Sequence, residues 1–436
     1  MTAHSTSERP ATAVLFAMIC CIMLASPWPL GSNRDWVWPV LAIIPMLVAV
    51  TLLLQKHELP GPGSQSLLAL LTVLAGYMAL QLTGIPGLAA PPTLDAYSTT
   101  TELLKTVGYA SFCFALMILL NDRRRLVILC YLVVITGVLE SLLGCVQQLV
   151  FDVSRARGSF PNPNHLAGWL EMSICLGIGL MIANRSAEKA GGSALSNFIT
   201  GPQGRLRLMI LIMVVGLIMT HSRSGNIALF SSLIISGLVV VFHTRVVNRY
   251  TTWLLLSILV LDTVFIGNYF GLERLQARIQ ETVSAPINSE MRIELQRYNL
   301  AVFRDNPVLG TGPGTYEQAF PPYRDALIPR KPTHAESDYA EFLVELGLLG
   351  CLPLVLLLFK GMQSQLRLMS RESDEFNQGI AFGCLAGTIS LLIHGFTDVN
   401  LQIPSNTLLF LMLLTIPVVL TDRAARQTSG DLSTPT

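Results

Sequence analysis

The chain has 436 residues, of which 51% are hydrophobic and only 13% are charged, and its mean hydropathy is +0.54. Soluble globular proteins carry about 25% charged residues, so the composition excludes that class and predicts an all-α polytopic membrane protein. The net charge of +1 gives no overall field that would attract nucleic acid. All eight cysteines lie inside apolar runs, which predicts apolar packing rather than disulfides or metal ligation.

Apolar runs of about 20 residues predict about twelve transmembrane helices. The first run is interpreted as an uncleaved span, because a second apolar run follows it almost at once. One large polar loop, 271–338, separates spans one to nine (11–270) from spans ten to twelve (339–421). Polar tails occupy 1–10 and 422–436. The predicted spans are 11–30, 36–54, 66–84, 102–120, 126–150, 165–183, 207–221, 225–243, 251–270, 339–359, 378–394 and 402–420.

Lysine and arginine are distributed unevenly between the two sets of short loops. Sixteen lie in one set, whereas the other set holds only Arg34, Arg155, Arg157 and Arg223. Short loops rich in these residues stay in the cytoplasm. Both termini are therefore predicted to be cytoplasmic, and the loop 271–338 is predicted to face the outside.

The large loop is predicted to contain short helices. Four apolar residues recur there at helical spacing, which predicts a helix that begins near Asn288, packs this face on the bundle and ends before Pro307. The glycine-rich run 310–316 predicts turns with exposed backbone N–H groups. The apolar residues at helical spacing are Met291, Leu295, Tyr298 and Val302.

Several stretches of this sequence resemble the O-antigen ligase and polymerase superfamily. In the large loop they are Arg292 followed by DNPVLGTGPGTYEQAF, and His334 followed by SDYAEFLVELGLLG. Elsewhere they are RARGSFPNPNHLAGWL, HSRSG and HGFTDVNLQIPSN, so the resemblance extends over roughly residues 150–410. It implies an inverting glycosyltransferase that moves a glycan from a polyprenyl diphosphate to a hydroxyl group. No metal or other cofactor is implied, and the chain contains no CxxC, HExxH or aspartate-rich motif.

The resemblance also implies a location and partners. The location is the bacterial inner membrane, with the active site facing the periplasm. The acceptor is the lipid A core, a growing polysaccharide or an exopolysaccharide, and polysaccharide assembly proteins are candidate partners. Three alternatives stay open: a protein O-oligosaccharyltransferase of the same superfamily, a transporter or flippase, and a structural partner of a polysaccharide export complex. Transporters usually show internal repeats, and none is visible here.

Four arginines are candidates for binding the donor diphosphate, because a planar guanidinium offers two parallel donors to phosphate. Arg155 and Arg157 lie in the loop before the sixth predicted span. The resemblance matches a serine–arginine pair to Ser222 and Arg223, and a loop arginine to Arg292. The alternative for Arg223 is a side chain that snorkels to the interface, and for Arg292 a solvated loop residue.

Four further residues are interpreted as supporting positions or substrate contacts. Asn164 and His165 end the loop of Arg155, which is alternatively a rigid connector capped by Asn164. His394 and Asp398 are four residues apart, one helical turn if the helix continues through Gly395, and are alternatively an anchor for the span.

His334 is the first candidate for the catalytic base, because its unperturbed pKa near 6.5 allows proton uptake at neutral pH. Glu336 and Asp338 follow within a turn and are expected to orient or tune it. Members of the superfamily often carry His-Asn where this chain has Glu336-Ser337, so Glu336 is the second candidate base.

Overall fold

The computed structural model describes residues 10–57, 59–83, 93–184, 201–243, 287–324, 332–371 and 374–431. Within these ranges, only the backbone is described for residues 10, 202, 243, 287–293, 371 and 428–431. The predicted ninth span, 251–270, lies outside the described residues.

All regular structure in the described ranges is helical, which agrees with the predicted all-α class. Four helices begin at a side chain that caps their free N–H groups: Asp95, Asp122, Asn162 and Asp374. The helices are α1 (Pro10–Ala25), α2 (Trp38–Leu54), α3 (Pro62–Thr83), α4 (Ala96–Leu119), α5 (Arg123–Leu149), α6 (Pro163–Ala183), α7 (Pro202–Met219), α8 (Arg223–His243), α9 (Ile287–Asp305), α10 (Tyr316–Ala319), α11 (Asp338–Arg371), α12 (Glu375–His394) and α13 (Pro404–Asp431).

Eight of these helices are long and apolar enough to cross a membrane: α3, α4, α5, α6, α8, α11, α12 and α13. The apolar helices α1 and α2 are shorter, and α7 carries Arg205 and Arg207 in its first turns. Every predicted span except 251–270 coincides with a helix. The chain is thus a multi-pass helical protein, and the count of twelve spans stays a prediction.

Helix α6 lies at the centre of the bundle, with 94% of its most apolar 18-residue window buried. Glycines let α12 approach it closely. A Cβ atom on Gly179 would lie 2.7 Å from the carbonyl oxygen of Gly379 and 2.8 Å from the Cα of Gly383. Small residues at such a crossing allow backbones to pack together in an apolar environment.

Helix α11 is broken at Gly347, where φ is +62° and ψ is −174°. The segment 307–312 lies beside the break and satisfies the backbone groups that it frees. Leu348 N donates to Pro307 O at 2.9 Å, and Thr311 N donates to Val344 O at 3.0 Å. Broken helices are tolerated at membrane depth only when neighbouring groups take over their hydrogen bonds in this way.

The same segment corrects one prediction from the sequence. The turns of the run 310–316 are present, with positive φ at its three glycines. Its N–H groups are not exposed, however, because Gly312 N donates to Glu345 O at 2.9 Å and Tyr316 N donates to Glu345 Oε1 at 3.0 Å. These donors hold the loop on α11 and are not available to a substrate.

Helix α9 ends at Asp305, before Pro307, as its sequence predicts. The predicted apolar face is buried at Leu295 and Val302, where it packs with Tyr316, Phe320 and Val344. The large loop is therefore fastened to the first part of α11.

Candidate active site

One end of the bundle, which we call the polar end, collects most of the residues predicted from the sequence. Here α6, α8, α11 and α13 begin and α12 ends. The N-terminus of a helix carries a partial positive charge, so four such termini favour an anionic ligand at this end. Two hydrogen bonds and one packing contact join these termini. Asp338 N donates to Gly395 O, Asn406 Nδ2 donates to His165 O, and Gly225 packs against His394.

His334 is held by a carboxylate at the start of α11. Its Nδ1 lies 2.8 Å from Glu341 Oε1, and Ala335 N donates to Glu341 Oε2 at 2.8 Å. The Glu341 side chain is 3% exposed, whereas His334 is 37% exposed, so the imidazole has a fixed partner on one side and an open second edge. Burial lowers the pKa of His334, but the neighbouring carboxylates, chiefly Glu341, outweigh this and raise the pKa to about 9.

The predicted partners of His334 were Glu336 and Asp338, whereas the hydrogen-bonded partner is Glu341. Glu336 has a positive φ of +55° and is half-buried, and its charge contributes less to the raised pKa of His334 than that of Glu341. Sequence reasoning missed Glu341, although its position three residues after Asp338 on one helix face was a usable signal.

Asp338 joins the start of α11 to the segment after α12. It is buried, its Oδ1 accepts from Leu401 N at 3.0 Å, and its Oδ2 accepts from Asn400 N at 3.2 Å. Its backbone N donates to the carbonyl oxygens of Gly395 and Asp398 at 3.0 and 3.1 Å. Asp338 therefore fixes this segment rather than orienting His334.

Asp398 is the centre of a second polar cluster. Its Oδ1 lies 3.5 Å from His165 Nε2, and its Oδ2 accepts from Asn164 Nδ2 at 2.5 Å. Burial raises the pKa of Asp398, but His165 and His394 nearby outweigh it, so the pKa falls to about 2. Asp398 is thus a carboxylate at neutral pH. Helix α6 is capped by Asn162, not by Asn164.

His394 and Asp398 do not form a helical pair, because α12 ends at His394. The partner of His394 is Glu171 in α6: His394 Nδ1 lies 3.2 Å from Glu171 Oε1, and both side chains are fully buried. A Cβ on Gly225 would lie 3.3 Å from His394 Cε1, so the pair sits directly beneath the start of α8. The sequence analysis did not single out Glu171. A carboxylate inside an apolar span was a usable signal, because such a residue faces the interior of the bundle and needs a partner there.

Arg155 connects the loop before α6 to the turn before α8. Its Nε donates to Thr220 O at 2.8 Å, and its Nη2 donates to Asn164 Oδ1 at 2.6 Å. Ala156 N also donates to Met219 O at 2.9 Å. The loop before α6 is thus bonded to the turn before α8, and the guanidinium of Arg155 is already engaged. Ser222, in this turn, is buried, and its Oγ accepts from Gly225 N at 3.2 Å.

Arg157 and Arg223 are exposed at the polar end, and neither guanidinium is hydrogen-bonded to a described residue. Arg292 lies within α9, and its side chain lies outside the described residues. The described residues hold no group of three His, Cys, Asp or Glu side chains placed to bind a metal ion. Independence from metals stays a prediction.

Comparison with known proteins adds one finding. Residues 208–355 match a family model described as O-antigen ligase. This is about a third of the chain, and it includes Arg223, Arg292, His334 and Glu341. No curated protein matches the chain.

Proposed function

We propose that this chain, whose residues 208–355 match the O-antigen ligase family model, transfers a glycan from a polyprenyl diphosphate to a hydroxyl acceptor. We place the reaction on the periplasmic face of the bacterial inner membrane. Support for this side comes from the charge distribution, because the opposite end of the bundle carries Arg123, Arg124 and Arg125 at the start of α5.

The observation that carries the proposal is the bond between His334 and Glu341. Because Nδ1 is held by the carboxylate, the neutral imidazole carries its proton on Nδ1 and presents the lone pair of Nε2. A base of this kind needs an open edge and a fixed orientation, and His334 has both. The raised pKa makes the neutral imidazole a stronger base than an ordinary histidine, but less abundant at neutral pH.

The proposed reaction is a direct displacement. The oxygen of the acceptor hydroxyl attacks the anomeric carbon of the donor, and its proton moves to Nε2 of His334. The bond between that carbon and the diphosphate oxygen breaks, and the diphosphate leaves with the electron pair. The configuration at the anomeric carbon is inverted.

We assign the leaving diphosphate to Arg223 and Arg157, with Arg292 as a third candidate from the family match. Arg223 opens α8, so its guanidinium and the positive end of that helix favour the same anion. Arg155 is a positioning residue, because two of its nitrogens already bond to Thr220 and Asn164. Neutralising charge as it develops on the leaving group is the usual electrostatic contribution to such a transfer.

The test is transfer by the purified full-length protein in detergent, with a fluorescent polyprenyl-diphosphate-linked oligosaccharide as donor. Lipid A core, an oligosaccharide and a serine-containing peptide would be offered separately as acceptors. Transfer to one of the three supports the proposal and separates ligase, polymerase and protein glycosylation. The same donor in proteoliposomes tests the alternative. If the donor moves across the bilayer and no glycan is transferred, the protein is a flippase instead.

A further inference from the structure

The end of the bundle opposite the polar end holds a cavity of about 490 Å³. It lies where the end of α4, the start of α3 and the last turns of α13 meet. Helix α13 begins at the polar end with Pro404 and reaches the cavity at Asp422, a rise of about 27 Å at 1.5 Å per residue. The hydrocarbon core of a bilayer is about 30 Å thick, so the cavity lies near the other membrane boundary.

Positive charge dominates the surroundings of this cavity. The segments 121–125 and 419–427 contain five arginines and two aspartates. Each carboxylate caps a helix, and the charge of Asp122 also attracts Arg423. Asp422 accepts from Gly63 N at 3.0 Å and from Ser64 N at 2.8 Å, so it caps α3. Asp122 caps α5 by accepting from Arg125 N at 2.8 Å.

Arg423 and Arg426 line the cavity from α13. The Nη2 atom of Arg423 is buried and has no hydrogen-bond partner among the described residues. A buried charged donor without a partner is costly, so this atom is suited to a ligand that accepts hydrogen bonds. Arg426 Nη2 donates to Leu59 O at 3.0 Å, and the side chain is exposed at the mouth. Glu58 lies outside the described residues.

Part of the remaining wall of the cavity is apolar, and the rest carries polar side chains such as Asn121 and Gln427. Met117 and Ile118 from α4 and Val419 from α13 line it on the side of the bundle. One wall therefore offers guanidinium groups and another offers hydrocarbon, at the depth where a lipid places its phosphate and the first atoms of its chains. A free phosphate would use only the first wall.

From this cavity and the two arginines in it, we infer a binding site for the headgroup of an anionic phospholipid. Arg423 and Arg426 contact the phosphate, and the glycerol and upper acyl chain lie on Met117, Ile118 and Val419. The site is independent of glycan transfer. It anchors α13 to α3 and α4 at the membrane boundary.

The experiment is native mass spectrometry of the full chain after incubation in detergent with equal amounts of dioleoyl phosphatidylglycerol and dioleoyl phosphatidylcholine. One retained phosphatidylglycerol is expected. Arg423→Gln and Arg426→Gln should each lower its retention about fivefold, the effect of one interfacial charge at close range. Ile118→Trp, which fills the apolar side and keeps both charges, should lower it too. Arg367→Gln, an exposed arginine on α11, is the matched control and should not.

Three outcomes would overturn the inference. The first is equal retention of the two lipids. The second is equal thermal stabilisation by millimolar inorganic phosphate, which would leave only an anion site. The third concerns one further variant, Glu58→Gln. If this variant retains phosphatidylglycerol and the wild type does not, the arginines of the wild type are already paired with Glu58. Should Arg423→Gln fail to fold, Arg426→Gln changes only an exposed side chain and still decides the question.

Discussion

Two histidine–glutamate pairs lie at the polar end, and they differ in their access to solvent. His334 is bonded to Glu341 at 2.8 Å with 37% of its side chain exposed. His394 is bonded to Glu171 at 3.2 Å, and both side chains are fully buried. The same two side-chain types are therefore suited to different tasks. Only the exposed imidazole can exchange a proton with a bound hydroxyl, whereas the buried pair can only fix the helices around it.

The first test of this difference between the two pairs is the variant His334→Ala. Proton transfer to a positioned base contributes a hundred- to ten-thousandfold, so transfer should fall at least about a hundredfold. Donor binding should be nearly unchanged, whereas the unfolding temperature should fall moderately, because the buried Glu341 loses one of its two hydrogen bonds. The measurement is transfer at saturating donor. Glu294→Gln, which removes an exposed ion pair on α9, is the control.

Activity above about a tenth of the wild type in His334→Ala would remove this residue from the chemistry. His165 and Asp398 would then be tested next, because His165 Nε2 lies 3.5 Å from an Asp398 carboxylate that stays ionised at neutral pH.

The second prediction concerns the buried pair. His394→Ala leaves Glu171 buried without its hydrogen bond and should cost about 2–5 kcal/mol of stability, between a lost buried hydrogen bond and a broken buried ion pair. Thermal unfolding in detergent measures this loss. The double variant His394→Leu/Glu171→Met replaces both partners by apolar groups and should recover most of the stability. A stable double variant without transfer activity would mean that the buried pair takes part in the chemistry.

The sequence predicted the helices better than the site, and the reason is physical. An apolar run of about 20 residues needs no knowledge of its neighbours, so every described span coincides with a helix. The break at Gly347 depends on the segment 307–312 lying beside it, which is a long-range contact without a sequence period. The prediction of exposed N–H groups in the glycine-rich run was wrong for the same reason.

The candidate site shows the same limit at the level of single side chains. The motifs predicted that His334, His394 and Asp398 matter, but not which groups they contact. Glu341 contacts His334 across a turn that contains Glu336 at a positive φ. Glu171 contacts His394 across the interface between α6 and α12, two helices that pack closely at their glycines. Partners set by loop geometry or helix crossing are not encoded in local spacing.

The third prediction sharpens the assignment of the diphosphate. Arg223→Lys and Arg157→Lys keep the charge but lose the planar fork, so each should lower transfer about ten- to a hundredfold, which is about 1.5–3 kcal/mol for a charged hydrogen bond. Arg297→Lys is the control, because that arginine is exposed and bonded to Glu294 within α9. Near-normal transfer by both variants would leave Arg292 as the remaining candidate.

The last prediction uses pH to separate the two carboxylates near His334. The folded pKa of about 9 lies above the ordinary 6.5, so the protonated imidazole dominates below about pH 9 and the neutral base appears as the pH rises through that value. Wild-type transfer should therefore rise up to about pH 9 and then level off. Glu341→Gln keeps a hydrogen-bond acceptor for Nδ1 but removes the charge that most raises the pKa. Burial, which lowers the pKa, is then opposed by the smaller contributions of Glu345 and Glu336, so the midpoint of the rise should move from about 9 towards 6.5. Glu336→Gln removes a smaller contribution and should move the midpoint less, in the same direction.

If Glu336→Gln instead abolishes transfer while Glu341→Gln leaves the profile unchanged, the base is the carboxylate of Glu336. If wild-type transfer falls above pH 9, the imidazolium is the active form, and His334 binds the diphosphate rather than accepting the proton.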